Sequence, residues 1–486
     1  MPPLTPLATL RERLVRLGYH APVHASFLAA ERGTPEERLA QAMEATDDGR
    51  PLATALRLFM LGVPVVRSEA AACIGAELVA ALVERGLLRA EGESMRAAFA
   101  VVFVGEAAAA QDFVAWREAD EQEDFVAPIA GATRILSLFA VPTPGGRGRL
   151  LEIGTGQGFP VAVAAAQARV AVATDISPRA LLCAGMTAEL NGRANIERRE
   201  GSLFEPLRPD GETFDTIISN PPFVITPTGV TSALSSGGGD AEFTERVVRG
   251  VPRFLAEGGF ATILGNWGHG PEWAAPVRAW VEGTGCDALA FQIRQETPRS
   301  YAQAWRREMR ILRPFREPPS ADSWRAMFEE RGIAGISFGM VVLRRRAGAN
   351  WFVAQQRTTA GVQAGAGAQL RRLFDSRTRL EQAATPMDLL TVPAKLCPSV
   401  ELAGRPSPRG RAEWSLTDGT LRQTEGWPEP IAVDAGALAV LFGCDGRRPL
   451  RAVIAGVAEA WRTSPQGLER MLAKVMPRWF ELGYLY

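Results

Sequence analysis

Apolar residues recur at helical spacing from the start of the chain, through Leu7, Leu10, Leu14 and Leu17 and again through Leu52, Leu56, Phe59 and Met60. This periodicity predicts helices over most of residues 1 to about 140. From Gly62 to Val104 the pattern reads helix, helix, short hairpin. Ser68 opens a helix in SEAAACIGAELVAALVERGLL, Gly86 closes it, and AFAVVFVG then gives a strand. The segment PTPGGRGR, Pro142 to Arg149, breaks the pattern. Beyond it, apolar runs alternate with helical stretches as far as Arg346: LLEIG, VAVATDI, FDTIISN, FATILGNW, CDALAFQIR and GISFGMVVL. SPRALLCAGMTAEL and DAEFTERVVRGVPRFLAEG read as intervening helices, the second closed by Gly258 and Gly259. Continuously apolar strands separated by helices predict a parallel sheet covered on both faces. After residue 347 the alternation stops. Residues 350–430 read as short strands and turns, with AGVQAGAGAQ as a loop. The last sixty residues read as a helix, a tight turn at Cys444-Asp445-Gly446, two more helices and an apolar strand.

Three domains follow from this pattern: a helical domain over 1–140, an α/β domain over 141–346, and an α+β domain over 347–486. The helix, helix, hairpin order of the first suits a winged helix, a fold used for DNA binding and for packing alike. The end of the third, from about 430, suits a second one. The 486 residues carry 54 basic and 54 acidic side chains, which argues against a dedicated polyanion binder. The densest basic stretch runs from Arg294 to Arg316, with Arg299, Arg306, Arg307, Arg310 and Arg313 between. Glu296 and Glu308 interrupt it, so it reads as a solvated helix face. Cys73, Cys183, Cys286, Cys397 and Cys444 are scattered and form no CxxC pair, so neither a disulfide framework nor a zinc site is expected. His20 and His24 read as a helix face or turn, and with His269 they offer no familiar metal spacing. No metal is expected. The N-terminus lacks a signal-peptide pattern and no apolar run approaches the ~18 residues of a membrane span, so a cytoplasmic protein is expected.

Four features then fall in order. In LEIGTGQGFP, Leu151 to Pro160, an apolar strand runs into Gly154, Gly156 and Gly158 and then a helix, which lets a ligand approach the backbone closely. Such glycines alone would also suit a dinucleotide. Glu152, inside the strand, suits a cationic ligand group instead. Asp175 ends the next strand, 21 positions after Gly154, where a carboxylate can accept from ribose hydroxyls; its ordinary alternative is capping the helix that follows. EGSLFEPL, Glu200 to Leu207, marks the end of a third strand, where the residue edging a purine would lie. SNPPF, Ser219 to Phe223, follows the strand FDTIIS directly. In a doubly wound sheet this is the ligand side. Asn220 brings an amide oxygen, Pro221 and Pro222 add carbonyls without competing N–H groups, and Phe223 offers a stacking face. Two such acceptors can hold one planar NH2 group, so positioning supplies the catalysis without a strong base.

On these residues, positions 147 to about 225 resemble the class I S-adenosylmethionine (SAM)-dependent methyltransferases. The resemblance is to the branch with an (N/D)PP(Y/F) motif, which includes release-factor glutamine methyltransferases and adenine-N6 and guanine-N2 methyltransferases of nucleic acids. It implies a Rossmann-like, seven-stranded domain flanked by the two winged-helix-like modules, with SAM as cofactor. Glu152, Gly154, Gly156 and Gly158 would surround the methionine part, Asp175 with Ile176 beside it would face the ribose, and Leu203 would pack near the adenine. Thr133, in IAGATRIL (Ile129 to Leu136), is a further candidate contact covering the cofactor, with a helix start as its alternative. Asn220, Pro221, Pro222 and Phe223 would hold the acceptor nitrogen. The chain departs from the family at Ser202, where an acidic residue usually meets the adenine amino group, and at Phe223, where Tyr is common. SSGGGDAEFTERVV, LGNW, GCDALAFQIR and GISFGMVVLRR resemble actinobacterial-type methyltransferases with added terminal modules. LFGCDGRRPL resembles the small winged helices that hold leader peptides in ribosomal-peptide modification. Trp267 and His269 are candidates to line the acceptor pocket, with a capped strand end as the plainer reading. The expected acceptor is a glutamine or asparagine amide of a polypeptide. A nucleobase amine is the alternative, with nucleic acid as partner, and a small molecule a further one. A catalytically silent SAM-binding protein is disfavoured by the intact acidic and NPPF positions.

Overall fold

The computed structural model describes residues 4–20, 34–120, 124–208, 211–227, 231–232, 235–236, 241–409 and 413–486. His24 and residues 237–240 of the SSGGGD segment lie outside the described residues. The chain forms two compact units. The first takes in Met1–Ser137, Pro142–Ala347 and Phe352–Arg357, the second Leu138–Val141, Gly348–Trp351 and Thr358–Tyr486.

The first unit opens with helices α1 (Pro6–Arg16), α2 (Pro35–Ala45) and α3 (Pro51–Leu56). Thr5 and Thr34 cap the first two, and Thr34 forms a reciprocal capping box with Glu37. Then come β1 (Val65–Val66), α4 (Arg67–Ile74), α5 (Ala76–Glu84), β2 (Leu88–Glu91) and β3 (Ser94–Ala97), the strands pairing antiparallel in the order β1-β3-β2. The single helix expected from Ser68 is thus two helices. Gly75, at φ 99, turns the chain between them. A second antiparallel hairpin follows, β4 (Ala100–Val104) with β5 (Ala107–Gln111).

After α6 (Gly131–Phe139) the chain builds the central sheet. Its members are β6 (Arg149–Ile153), β7 (Val170–Asp175), β8 (Ile196–Glu200), β9 (Phe214–Ser219), β12 (Leu255–His269), β13 (Cys286–Glu296), β14 (Gly335–Arg345) and β15 (Phe352–Gln356); Thr231–Ser232 and Ser235–Ser236 are the short hairpin strands β10 and β11. The spatial order is β15-β13-β14-β12-β9-β6-β7-β8. Only β14 runs antiparallel to its neighbours. The sheet has eight strands rather than the seven expected, because β15, past residue 346, pairs in parallel with β13. Between strands lie α7 (Phe159–Ala164), α8 (Pro178–Leu190), α9 (Ala241–Gly250), α10 (Ala275–Val281), α11 (Pro298–Leu312) and α12 (Ala321–Glu330). The helix expected to run to Gly258 stops at Gly250. Pro252 sits in a short 3-10 turn, and β12 has already begun at Leu255, with a register shift before Phe260.

One core joins the N-terminal helices to the sheet domain. Leu7, Leu10, Leu14, Phe59 and Leu82 pack in one cluster with Ala180, Cys183, Met186 and Leu190 of α8. The contact is polar as well: Asn191 accepts from the Ala108 N–H at 3.1 Å and donates to its carbonyl at 2.6 Å. The buried Asp112 holds Arg179 at 2.6 Å.

The second unit contains α13 (Ala366–Gln382), β16 (Pro393–Lys395), the sheet of β17 (Val400–Arg409), β18 (Glu413–Gln423) and β19 (Ile431–Val433), α14 (Ala435–Gly443), β20 (Asp445–Pro449), α15 (Leu450–Ala460), α16 (Pro465–Leu472) and α17 (Met476–Glu481). The segment read as the loop AGVQAGAGAQ ends inside α13, which starts after Gly365 at φ 86 and buries Leu370 and Phe374. Gly367 is required there, since a Cβ would lie 2.0 Å from the Ala140 carbonyl oxygen. Asp445 and Gly446 open a strand paired with β16, where a tight turn was expected. Leu390, Leu421, Leu441, Ile454, Trp479 and Tyr484 form the core. No helix of the described residues is long and apolar enough to cross a membrane.

Candidate active site

The residues expected to face the cofactor meet at the C-terminal ends of β6, β7 and β8. Gly154, Gly156 and Gly158 all lie at positive φ, at 69°, 52° and 77°. A Cβ on Gly154 or Gly156 would face open space, whereas one on Gly158 would come within 2.6 Å of the Ala184 backbone in α8. The first two glycines thus keep the backbone bare toward the site, and the third lets two helices touch. Asp175 fastens this loop to the next strand: one carboxylate oxygen accepts from the Gly156 N–H and the other from the Ser177 N–H, both at 2.9 Å. The capping reading of Asp175 is therefore present in the geometry. Each oxygen retains a second lone pair, so a ribose diol can be held by the same group. Burial pushes the Asp175 carboxyl above its ordinary range. Ile176 beside it is an apolar side chain 70% exposed at the rim.

Glu152 is buried, with one oxygen accepting from Thr155 Oγ1 at 2.6 Å and from the Val161 N–H at 3.1 Å. Burial pushes its carboxyl up to about 8 against these two hydrogen bonds. A cationic amino group near it would restore the ionised form. After β8, Gly201 donates to the Asp175 carbonyl at 3.0 Å, and Leu203 is held at φ 49, which L side chains adopt with strain. The Ser202 N–H donates to Glu205 at 3.1 Å. Thr133 is buried near the start of α6, its hydroxyl oxygen accepting from the Ala130 N–H at 3.4 Å.

The residues expected on the acceptor side begin one residue past β9. Ser219 Oγ donates to the Ile153 carbonyl at 2.9 Å, which pins the end of β9 to the end of β6 and sets Asn220 beside the glycine turn. Asn220 Oδ1 is buried and has no hydrogen-bond partner among the described residues. Pro221 is buried and Pro222 half-buried. Phe223 packs edge-on to Trp305 at 6.4 Å and against Phe338 at 5.6 Å. Tyr301 of α11 closes the exit of the motif: its hydroxyl accepts from the Ile225 N–H at 3.0 Å and from the Asn266 side-chain amide at 2.8 Å.

Asn266, Tyr301, Trp305 and Phe338 were not singled out from the sequence. The readable signal was LGNW, where side chains of successive strand residues point to opposite faces. Trp267, a candidate beside the plainer reading of a capped strand end, turns away into the opposite core, its Nε1 donating to the Trp273 carbonyl at 2.8 Å. His269 is buried with Nδ1 2.7 Å from the Gly270 carbonyl. Two members of the arginine stretch are paired with carboxylates, Arg294 with Glu296 and Arg310 with Glu317, both at 2.7 Å. Among the described residues no group of three His, Cys, Asp or Glu side chains is arranged to hold a metal.

Residues 130–267 match the Methyltransferase small domain family, and residues 28–98 match a domain of unknown function, DUF7059. The central domain is thus of the class I, SAM-dependent methyltransferase type. Among its relatives, the release factor glutamine methyltransferase of Xylella fastidiosa (strain Temecula1) is 34% identical over 155 residues, which is 29% of this chain and 54% of that protein. The release factor glutamine methyltransferase of Bacillus subtilis is 30% identical over 139 residues, 26% of this chain and 48% of that protein. The human methyltransferase HEMK2 is 29% identical over 157 residues, 30% of this chain and 73% of that protein. The chain thus spans about half the length of the bacterial relatives it matches.

Proposed function

We propose that the protein transfers a methyl group from SAM to the nitrogen of a glutamine or asparagine side-chain amide in a polypeptide. The observation that carries this reading is the buried, unpartnered Asn220 Oδ1 next to Pro221, in a stretch with no N–H at positions 221 and 222. An unsatisfied buried acceptor is unfavourable by about 1–3 kcal/mol, so it is kept where a substrate donor fills it. Asn220 Oδ1 and the Pro221 carbonyl together accept both hydrogens of one planar NH2. Phe223, braced by Trp305 and Phe338, lies against the plane of that group. Held this way, the nitrogen lone pair is directed along one line, which is the positioning that methyl transfer requires. The residues fit the donor: bare backbone at Gly154 and Gly156, the carboxyls of Glu152 and Asp175, and the exposed Ile176 provide for an amino group, a ribose and an adenine face. When bound, SAM supplies an electrophilic methyl on a sulfonium. Ser202 and Leu203 edge the adenine, with Thr133 over the site.

The names of the relatives support an amide acceptor. The nucleobase alternative needs a basic reading surface, but α5, the helix that a winged helix would insert into DNA, is AELVAALVE, with Glu77 and Glu84 and no basic residue. We read the N-terminal module as packing, consistent with its shared core with α8.

Incubation with methyl-deuterated SAM, a bacterial release factor and total cellular RNA, followed by mass spectrometry of both pools, tests the reading. Label on a glutamine or asparagine of the polypeptide is expected. Label confined to RNA overturns it.

A further inference from the structure

Asn266 carries the second buried amide oxygen of this region. Its side chain is 1% exposed, and Oδ1 has no hydrogen-bond partner among the described residues. Three observations set it beside the NPPF motif. It sits directly opposite Phe338 in the antiparallel pairing of β12 and β14, so the two side chains share a face of the sheet. Phe338 in turn packs on Phe223 at 5.6 Å, in the cluster that also contains Val224, Ile225 and Tyr301. The Asn266 amide nitrogen is tied to Tyr301, which also holds the Ile225 N–H at the exit of the NPPF motif.

This clamp fixes the Asn266 plane. Tyr301 is fully enclosed and its hydroxyl cannot swing away without losing both bonds, so one hydrogen of the Asn266 amide is committed to it, and Oδ1 is left without a partner among the described residues. Two amide oxygens without a hydrogen-bond partner among the described residues, Asn220 just past the end of β9 and Asn266 on the neighbouring β12, therefore lie beside the aromatic cluster of Phe223 and Phe338. Neither can be satisfied by the other, since both are acceptors.

We propose that Asn266 is a substrate-positioning residue that accepts a second N–H from the acceptor, a main-chain amide N–H next to the modified side chain, while Asn220 takes the NH2 that is methylated. This rests on the amide-methylation reading above. It makes the pocket specific for an acceptor that brings donors at two points, as a glutamine within a peptide does and a free primary amide does not.

The test is ligand-observed NMR titration of the full-length protein loaded with S-adenosylhomocysteine, using N-acetylglutamine N′-methylamide as probe and propionamide as the single-point comparison. The expected result is that the wild type binds the capped glutamine tightly relative to propionamide. Asn266→Leu weakens capped-glutamine binding about tenfold while leaving propionamide unchanged. Asn266→Asp, which keeps an acceptor oxygen in place, holds the capped glutamine within about threefold of wild type, far short of the tenfold that a lost hydrogen bond to the substrate predicts. Thermal melts and S-adenosylhomocysteine affinity, both near wild type, show that the variants are folded. If Asn266→Leu binds the capped glutamine as the wild type does while Asn220→Ala does not, the role of Asn266 is wrong and amide methylation stands. If the wild type binds neither probe, the amide reading fails and takes this inference with it.

Discussion

Asn220, Asp175 and Glu152 each do a different thing at the residue scale, and each can be separated by experiment. Asn220→Ala removes an oxygen that has no hydrogen-bond partner among the described residues, so transfer should be abolished with cofactor affinity nearly unchanged, as read by label incorporation and calorimetry. Loss of cofactor binding instead would remove it from the acceptor side. Asp175→Ala should weaken SAM binding at least tenfold, given about 1.5–3 kcal/mol for hydrogen bonds to a charged group. It also strips the Gly156 and Ser177 N–H groups of their acceptor, so stability should fall in the same variant. Glu152 gives a pH signature. Its folded-state pKa, about 8, is above the ordinary glutamate value, so between that value and about 8 the folded chain holds a proton the unfolded chain has lost. Its contribution to the stability of the cofactor-free protein is complete below the ordinary value and declines as pH rises, by about 1.4 kcal/mol per unit, until pH about 8. Glu152→Gln should flatten that decline. Urea unfolding at pH 5, 6.5 and 8 measures it, and parallel pH profiles for the two proteins would contradict the buried-carboxyl account.

The elements are joined by close approaches that single residues permit. Gly158 is at φ 77 with the Ala184 backbone 2.6 Å from where a Cβ would be. Gly158→Ala therefore combines a left-handed conformation, about 1–2 kcal/mol for an L residue, with an overpacked helix contact of about 1–3 kcal/mol. A loss of about 2–5 kcal/mol is expected in urea unfolding, large beside an ordinary substitution. Gly154→Ala meets no such wall, and its cost should be the conformational part alone. The glycine turn was visible in the sequence because positive φ restricts residue type. The split of α4 from α5 at Gly75 was missed for the converse reason: an isolated glycine in a helical pattern is usually tolerated. α13 was missed because Gly367 and its alanine neighbours look like loop composition, although Gly367 is there to admit the Ala140 carbonyl.

At the scale of the whole molecule, the first unit carries its N-terminal helices as part of its core. α8 presents Ala180, Cys183, Met186 and Leu190 to Leu7, Leu10 and Leu14, and the edge of β5 is held by Asn191. Removing residues 1–112 should leave that face of α8 bare and break the Asp112–Arg179 pair. We expect the truncated chain to aggregate or to lose its cooperative melt. A soluble truncation with native cofactor affinity would show the N-terminal segment to be separable.

What the sequence determined by itself were features written within one element or its turn: the strand ends, the positive-φ glycines, Glu152 and Asp175 next to them, and the NPPF motif. Their meaning depends on local covalent geometry, so spacing along the chain is enough to read them. Tertiary structure alone decided which distant side chains face them. Asn266, Tyr301 and Phe338 come from three strands and helices that are 35 or more residues apart from one another, and only the antiparallel register of β12 with β14 puts Asn266 and not Trp267 on the Phe223 face. The eighth strand and the core shared by α1 and α8 belong to the same class. Pairing partners and buried neighbours are selected by the packing of the whole chain, and no local pattern encodes them.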